Sequence, residues 1–251
     1  MSARAARSDV AARRVSHETY GQAFATVYVF VSTNLLLVVA CLPLLLPLAV
    51  VADPLASWPF FVVMSPVLAP AYAASCEVFA EFSKDGSARV VRTFAAAWVR
   101  TARKALVIGA VVALSITVLG IDLVAAQHHS LGALTAPVFV VLGLLVVGAA
   151  PLALTALAEN PGATLRVLAL PSVYLAIRRW YLTLVSLLAL AVLAVVVVAK
   201  PALGLFLLSA PMLYVVWANS RYCLVGAPSV VPVRSSAIGR RALVSRSASL
   251  Q

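Results

Sequence analysis

The stretch YLTLVSLLALAVLAVVVVA, residues 181–199, decides the fold class. It carries no charged side chain over 19 residues. At ~1.5 Å of rise per residue, a helix of that length just crosses a hydrocarbon core of about 30 Å. Its borders agree. Arg178, Arg179 and Trp180 stand before it, and Lys200 and Pro201 after it, so cations, an interfacial aromatic and a turn residue mark both exits from lipid. The pattern recurs on either side. Apolar runs occupy residues 24–52, 58–82, 105–126 and 134–157, and a last run extends from the Lys200-Pro201 reversal to about Cys223. The chain therefore reads as an all-α, polytopic membrane helix bundle with about six transmembrane helices. The membrane domain covers 21–225, between a basic segment, 1–20, and a Ser- and Arg-rich tail, 226–251, expected to be disordered or loosely lipid-bound.

Composition supports the same class. Of 251 residues, 63% are hydrophobic and 11% charged, whereas a soluble domain is nearer one-half apolar and one-quarter charged. The net charge of +11 sits beside apolar runs, where membrane orientation and anionic lipid head groups account for it, so nucleic acid is not an expected partner. Cys41, Cys76 and Cys223 all fall in or at the ends of apolar runs without CxxC spacing, and read as small packing residues. The first run is about twice the ~7–15 residues of a signal-peptide core, so it reads as a retained anchor.

The cations give an orientation. Arg4, Arg7, Arg13 and Arg14 precede the first run. Lys84, Arg89, Arg92, Arg100, Arg103 and Lys104 separate the second from the third, Arg166, Arg178 and Arg179 the fourth from the fifth, and Arg221, Arg234, Arg240, Arg241 and Arg246 follow the last. Only Lys200 lies on the other side, which predicts both termini in the cytoplasm of a bacterial plasma membrane. Trp180, Tyr181, Trp217 and Tyr222 would form an inner aromatic belt. Arg89, Arg92, Arg100 and Arg103 fall on one helical face and Val91, Phe94, Trp98 and Thr101-Ala102 on another. This predicts a cytoplasmic amphipathic loop helix on the inner leaflet, with Lys104 completing a lipid- or partner-facing basic loop. The loop with Leu165, Leu168, Pro171 and Ile177 is a weaker version.

Several of these pieces together resemble the YesL family of bacterial membrane proteins, over about residues 20–225. They are Asn34-Leu35-Leu36 followed by Cys41-Leu42-Pro43, then Ser65-Pro66-Val67-Leu68-Ala69-Pro70-Ala71-Tyr72, then Thr93-Phe94-Ala95-Ala96-Ala97-Trp98 leading into Lys104-Ala105-Leu106, with Asp122 near the end of the third run. The tryptophan often found after Asn-Leu-Leu is absent, and Ser65 stands where a glycine is usual. The resemblance implies a link to carbohydrate uptake and carries over no catalytic residue.

Little points to chemistry. The chain lacks the Gly-rich strand–helix turn of a dinucleotide site and a P-loop, so neither a cofactor nor an ATPase role is expected. His128-His129 reads as outer-loop polarity, with a weak metal contact as the alternative. Asn34, inside the first run, either makes an interhelical hydrogen bond or lines a substrate path. Glu77 and Glu81, one turn apart, either pair with the basic loop or form a proton or cation site. Pro66 and Pro70 are expected to break helical hydrogen bonding, as a kink or as a broken-helix site. Pro43 and Pro47 should kink or unwind the outer end of the first span. Asp122 and Glu159 are expected near the interfaces, solvated.

These observations suggest a non-enzymatic accessory or scaffold protein, bound to a sugar transport complex or to itself as a homo-oligomer. The alternative is a small transporter or permease. Glu159, Gly162-Ala163 and Leu170-Pro171 are similar in order to the ATPase-docking helix of importer permeases, but the glycine-to-proline distance is too short. A membrane-embedded enzyme ranks last, for want of converging acid, base or metal ligands.

Overall fold

Apolar runs that cannot leave backbone groups bare in lipid must close their hydrogen bonds within each segment, and this chain does so by helices throughout. The computed structural model describes residue 22 and residues 24–50, 58–127, 132–200 and 203–226. The N-terminal arginines, His128-His129 and the tail arginines Arg234, Arg240, Arg241 and Arg246 lie outside the described residues. In chain order the elements are α1 (Phe24–Ala40), α2 (Leu42–Val50), α3 (Trp58–Met64), a 3-10 turn (Ser65–Val67), α4 (Leu68–Asp85), α5 (Val90–Ala126), α6 (Gly132–Glu159), α7 (Leu165–Arg178), α8 (Trp180–Ala199), a π-helical turn (Gly204–Leu208) and α9 (Ser209–Val225). No strand occurs among the described residues. Four helical segments, Pro59–Asp85, Val90–Ala126, Leu134–Glu159 and Trp180–Val197, are long and apolar enough to cross a membrane, and Phe24–Ala40 is a shorter apolar helix. The protein is an all-α helical bundle of multi-pass membrane type.

The prolines act less drastically than the sequence suggests. Of the pair Pro66 and Pro70, only Pro66 disturbs the ladder, in the single 3-10 turn between α3 and α4. Pro70 falls in the first turn of α4, where a missing N–H costs little. The first run breaks at Cys41, and α2 then continues helical through Pro47. Pro137 and Pro151 both lie inside α6.

The expected surface helix over 89–104 is corrected by the structure. Residues 90–126 form one helix of 37 residues, about 55 Å long at ~1.5 Å per residue, against a hydrocarbon core of roughly 30 Å. The reason is local. Between Val90 and Lys104 there is no glycine or proline, and Ala and Arg propagate a helix well, so nothing turns the chain at the expected boundary. The expected apolar face holds at Phe94 and Thr101 but not at Val91 and Trp98. Val90, Phe94, Ala97, Thr101 and Ala105 are the buried positions, while Val91 and Trp98 are exposed. That spacing of three and four builds a seam against a neighbouring helix rather than against lipid. Val90, Phe94 and Ala97 pack on Val29, Ala74 and Val78. The α4–α5 hairpin begins at Gly86, whose φ of 66° is left-handed and whose N–H closes on the Phe82 carbonyl at 2.9 Å.

The main core joins α4, α6, α7, α8 and α9 through Phe79, Leu152, Leu168, Leu175, Ala189 and Leu224. An aromatic group crosses it: Tyr214 stands edge-on to Phe30 at 5.7 Å and to Phe79 at 5.4 Å, and Trp217 lies 5.4 Å from Tyr214. Trp217 is 2% exposed, so it belongs to this core and not to an interfacial belt. Trp180, Tyr181 and Tyr222 are exposed, as a belt requires.

Candidate functional site

The charged residues of α4 and α5 meet because the hairpin is antiparallel. Glu77 pairs with the Arg100 guanidinium. Glu81, one turn on, accepts from the Thr93 hydroxyl and, at 3.4 Å, from the backbone N–H of Arg89, the N-cap of α5. A carboxylate there serves an otherwise unpartnered backbone donor and complements the positive end of the helix. Both glutamates are thus engaged by the basic segment, the first of the two alternatives the sequence leaves open.

Cations close the opposite ends of helices in the same region. Lys104 is half-buried, and its ammonium donates to the carbonyls of Pro161 at 2.7 Å and Ala163 at 2.8 Å, just beyond α6. It therefore holds the α6–α7 connection. Arg179 donates to the carbonyls of Tyr222 at 3.2 Å and Gly226 at 3.3 Å, at the end of α9, and stands 5.5 Å from the centre of the Tyr222 ring. Each cation meets the negative end of a neighbouring helix. Glu159, expected in solvent, is instead paired: Arg221 Nε lies 3.4 Å from Oε1, and the same guanidinium sits 5.3 Å from the Trp217 ring centre. Its side chain is only 15% exposed. Arg89, Arg92 and Arg103 are exposed and hold no ion pair among the described residues. Asp122 is half-buried on α5.

Asn34 is 2% exposed and makes the most specific polar contact in the bundle. Its Nδ2 donates to the Phe206 carbonyl at 2.9 Å, and its Oδ1 accepts from the Ala210 backbone N–H at 2.6 Å. In a regular α-helix that N–H and that carbonyl would bond each other. The carboxamide has entered the ladder and taken both ends of one broken bond. The next N–H in line would be that of residue 211, which is proline and has none, so the wider π turn at Gly204–Leu208 cannot serve the Phe206 carbonyl unaided. Asn34 thus makes the interhelical hydrogen bond, the first of its two alternatives, and has no polar capacity directed elsewhere except one amide hydrogen and carbonyl lone pairs.

Other buried polar contacts had no clear signal in the sequence. Thr155 lies 3.5 Å from the Tyr72 hydroxyl and 3.7 Å from Cys76 Sγ, tying α6 to α4. Asn219 Nδ2 reaches Ser186 Oγ at 2.9 Å, tying α9 to α8. An Asn near the end of an apolar run could have marked the second contact; single hydroxyls in a run of leucine and alanine mark nothing. Among the described residues, no group of three or more His, Cys, Asp or Glu side chains is placed to hold a metal ion.

What this end of the bundle does physically is join helix termini: one N-terminus by Glu81, two C-terminal regions by Lys104 and Arg179, and the helix walls by two ion pairs. Comparison with protein-family models, curated proteins and solved structures finds no match to this chain.

Proposed function

We propose that this protein is a non-enzymatic accessory or scaffold protein of a bacterial plasma membrane, crossing it six times with both termini in the cytoplasm. One observation carries the reading. The polar groups a transporter or an intramembrane enzyme would direct toward a substrate are here committed to holding helices together: Asn34 to Phe206 and Ala210, Glu77 to Arg100, Glu81 to Thr93, Lys104 to Pro161 and Ala163. Arg89, Arg92 and Arg103 leave an exposed basic surface at the start of α5. Such a surface suits anionic head groups or the acidic face of a membrane partner.

The orientation has a separate support. Apart from Lys200, the described cations belong to the end where these helix termini are joined, which is the pattern of a cytoplasmic face. The remaining spans are supplied by α1 with α2 and by the π turn with α9. The YesL resemblance adds a partner class, a carbohydrate uptake complex.

The test is extraction from native membranes in mild detergent, affinity capture and mass spectrometry of what stays bound. A transport permease or ATPase retained in stoichiometric amount is the expected result, and Arg89→Glu with Arg92→Glu should release it. A chain that purifies alone, or only with copies of itself, and moves a solute in vesicles would replace this reading by autonomous transport.

A further inference from the structure

Helix α7 is apolar on both sides. Leu168, Ser172, Leu175 and Ala176 face the bundle and are buried. The opposite side exposes Val167, Leu170, Val173, Tyr174 and Ile177, with Leu170 at 68% and Ile177 at 57%. Spacings of three and four place these on one continuous stripe along 14 residues. Arg166 opens the helix, Arg178 closes it, and no acidic residue lies within it. The exposed stripe then runs into Trp180 and Tyr181, exposed at 64% and 52%, which begin the apolar span Trp180–Val197.

We propose that α7 is an interfacial helix, laid in the head-group and acyl boundary of an anionic leaflet. Two observations choose lipid as the occupant of the stripe. It leads through Arg179 into Trp180 and Tyr181, both exposed at the start of α8, a membrane-span candidate. Its cations stand at the two ends of an apolar stripe, where they reach head groups while the middle sinks toward the acyl chains. The start of α5, the stronger of the two amphipathic segments in the sequence, packs Val90, Phe94 and Ala97 in the core and leaves Val91, Trp98 and Val99 exposed with Arg92 and Arg100 between them. The inference rests on the proposed topology only for which leaflet α7 meets.

The experiment uses the full chain, reconstituted in vesicles of phosphatidylcholine with and without phosphatidylglycerol. A fluorophore is placed on Leu170→Cys, Leu188→Cys or Val99→Cys; the three native cysteines are buried. Leu188 and Val99 are 65% and 74% exposed, on α8 and near the start of α5. Brominated acyl chains should quench the label at Leu170 as they do at Leu188, and aqueous iodide should quench only Val99. In Arg166→Gln and Arg178→Gln backgrounds, the ratio of lipid-exposed to water-exposed label at Leu170 should fall about fivefold per arginine in the anionic vesicles. Iodide quenching at Leu170 with lipid quenching at Leu188 overturns the proposal and leaves the membrane fold intact. Shielding of Leu170 from both quenchers overturns it in favour of a protein partner on α7. Iodide quenching at Leu188 overturns both.

Discussion

Replacing Asn34 by leucine destabilises the bundle by about 3 kcal/mol, read as equilibrium unfolding in mixed micelles. The substitution leaves the Phe206 carbonyl and the Ala210 N–H without their partners, in a place that is 2% exposed at Asn34 itself. Each buried unpaired group costs ~1–3 kcal/mol, and the leucine side chain occupies the space through which the α9 ladder could close again. Alanine leaves that space open. The Ala210 N–H can then approach Phe206, so Asn34→Ala should lose roughly half as much, about 1–2 kcal/mol. A leucine variant as stable as the native chain would show that Asn34 does not splice the ladder.

Gly109→Val is the second large effect, with an expected loss of about 3 kcal/mol or a chain that fails to accumulate. A Cβ at Gly109 would stand 2.9 Å from Ala69 Cβ and 3.0 Å from both Cα and the carbonyl oxygen of Pro66. The obstacle is backbone, stiffened by a proline, and cannot swing away as a side-chain end would. Small residues that let helices approach this closely are a general device of membrane bundles. Gly120 lies on the same helix and has nothing within 4 Å of a built Cβ, so Gly120→Val should be close to neutral in the same assay. Equal losses at the two positions would assign the effect to helix propensity instead of to the contact with Pro66.

Helix class and the positions of the runs were legible because both follow from local rules. Hydropathy over about twenty residues requires backbone closure within the segment, and residues 181–199 appear as α8 with a boundary shift of one residue at its start. Asn34 was also legible as a candidate, since an amide inside an apolar run is conspicuous. Its partners were not, because they belong to a helix 172 residues away in sequence. Lys104 shows the same limit. Grouped by charge with Arg100 and Arg103 it looked like one more surface cation, and only the approach of residues 161–163 turns it inward. The face of residues 90–104 is legible at Phe94 and Thr101 but not along its alanine seam. Ala97 and Ala105 are fully buried, and alanine carries little hydrophobic signal of its own. Glu159 and Trp217 are of types common at an interface, yet Glu159 is held by Arg221 and Trp217 packs on Phe79 and Tyr214, contacts made by distant parts of the chain.

The end of the bundle joined by Glu81, Lys104 and Arg179 is, in the proposed topology, its cytoplasmic end. The direct test is labelling of Ser87→Cys and Lys200→Cys in intact cells with a membrane-impermeant maleimide; both positions are exposed and lie at opposite ends of their helices. Lys200→Cys is expected to react from outside, and Ser87→Cys only once the membrane is permeabilised. Reaction of Ser87→Cys in intact cells would contradict it.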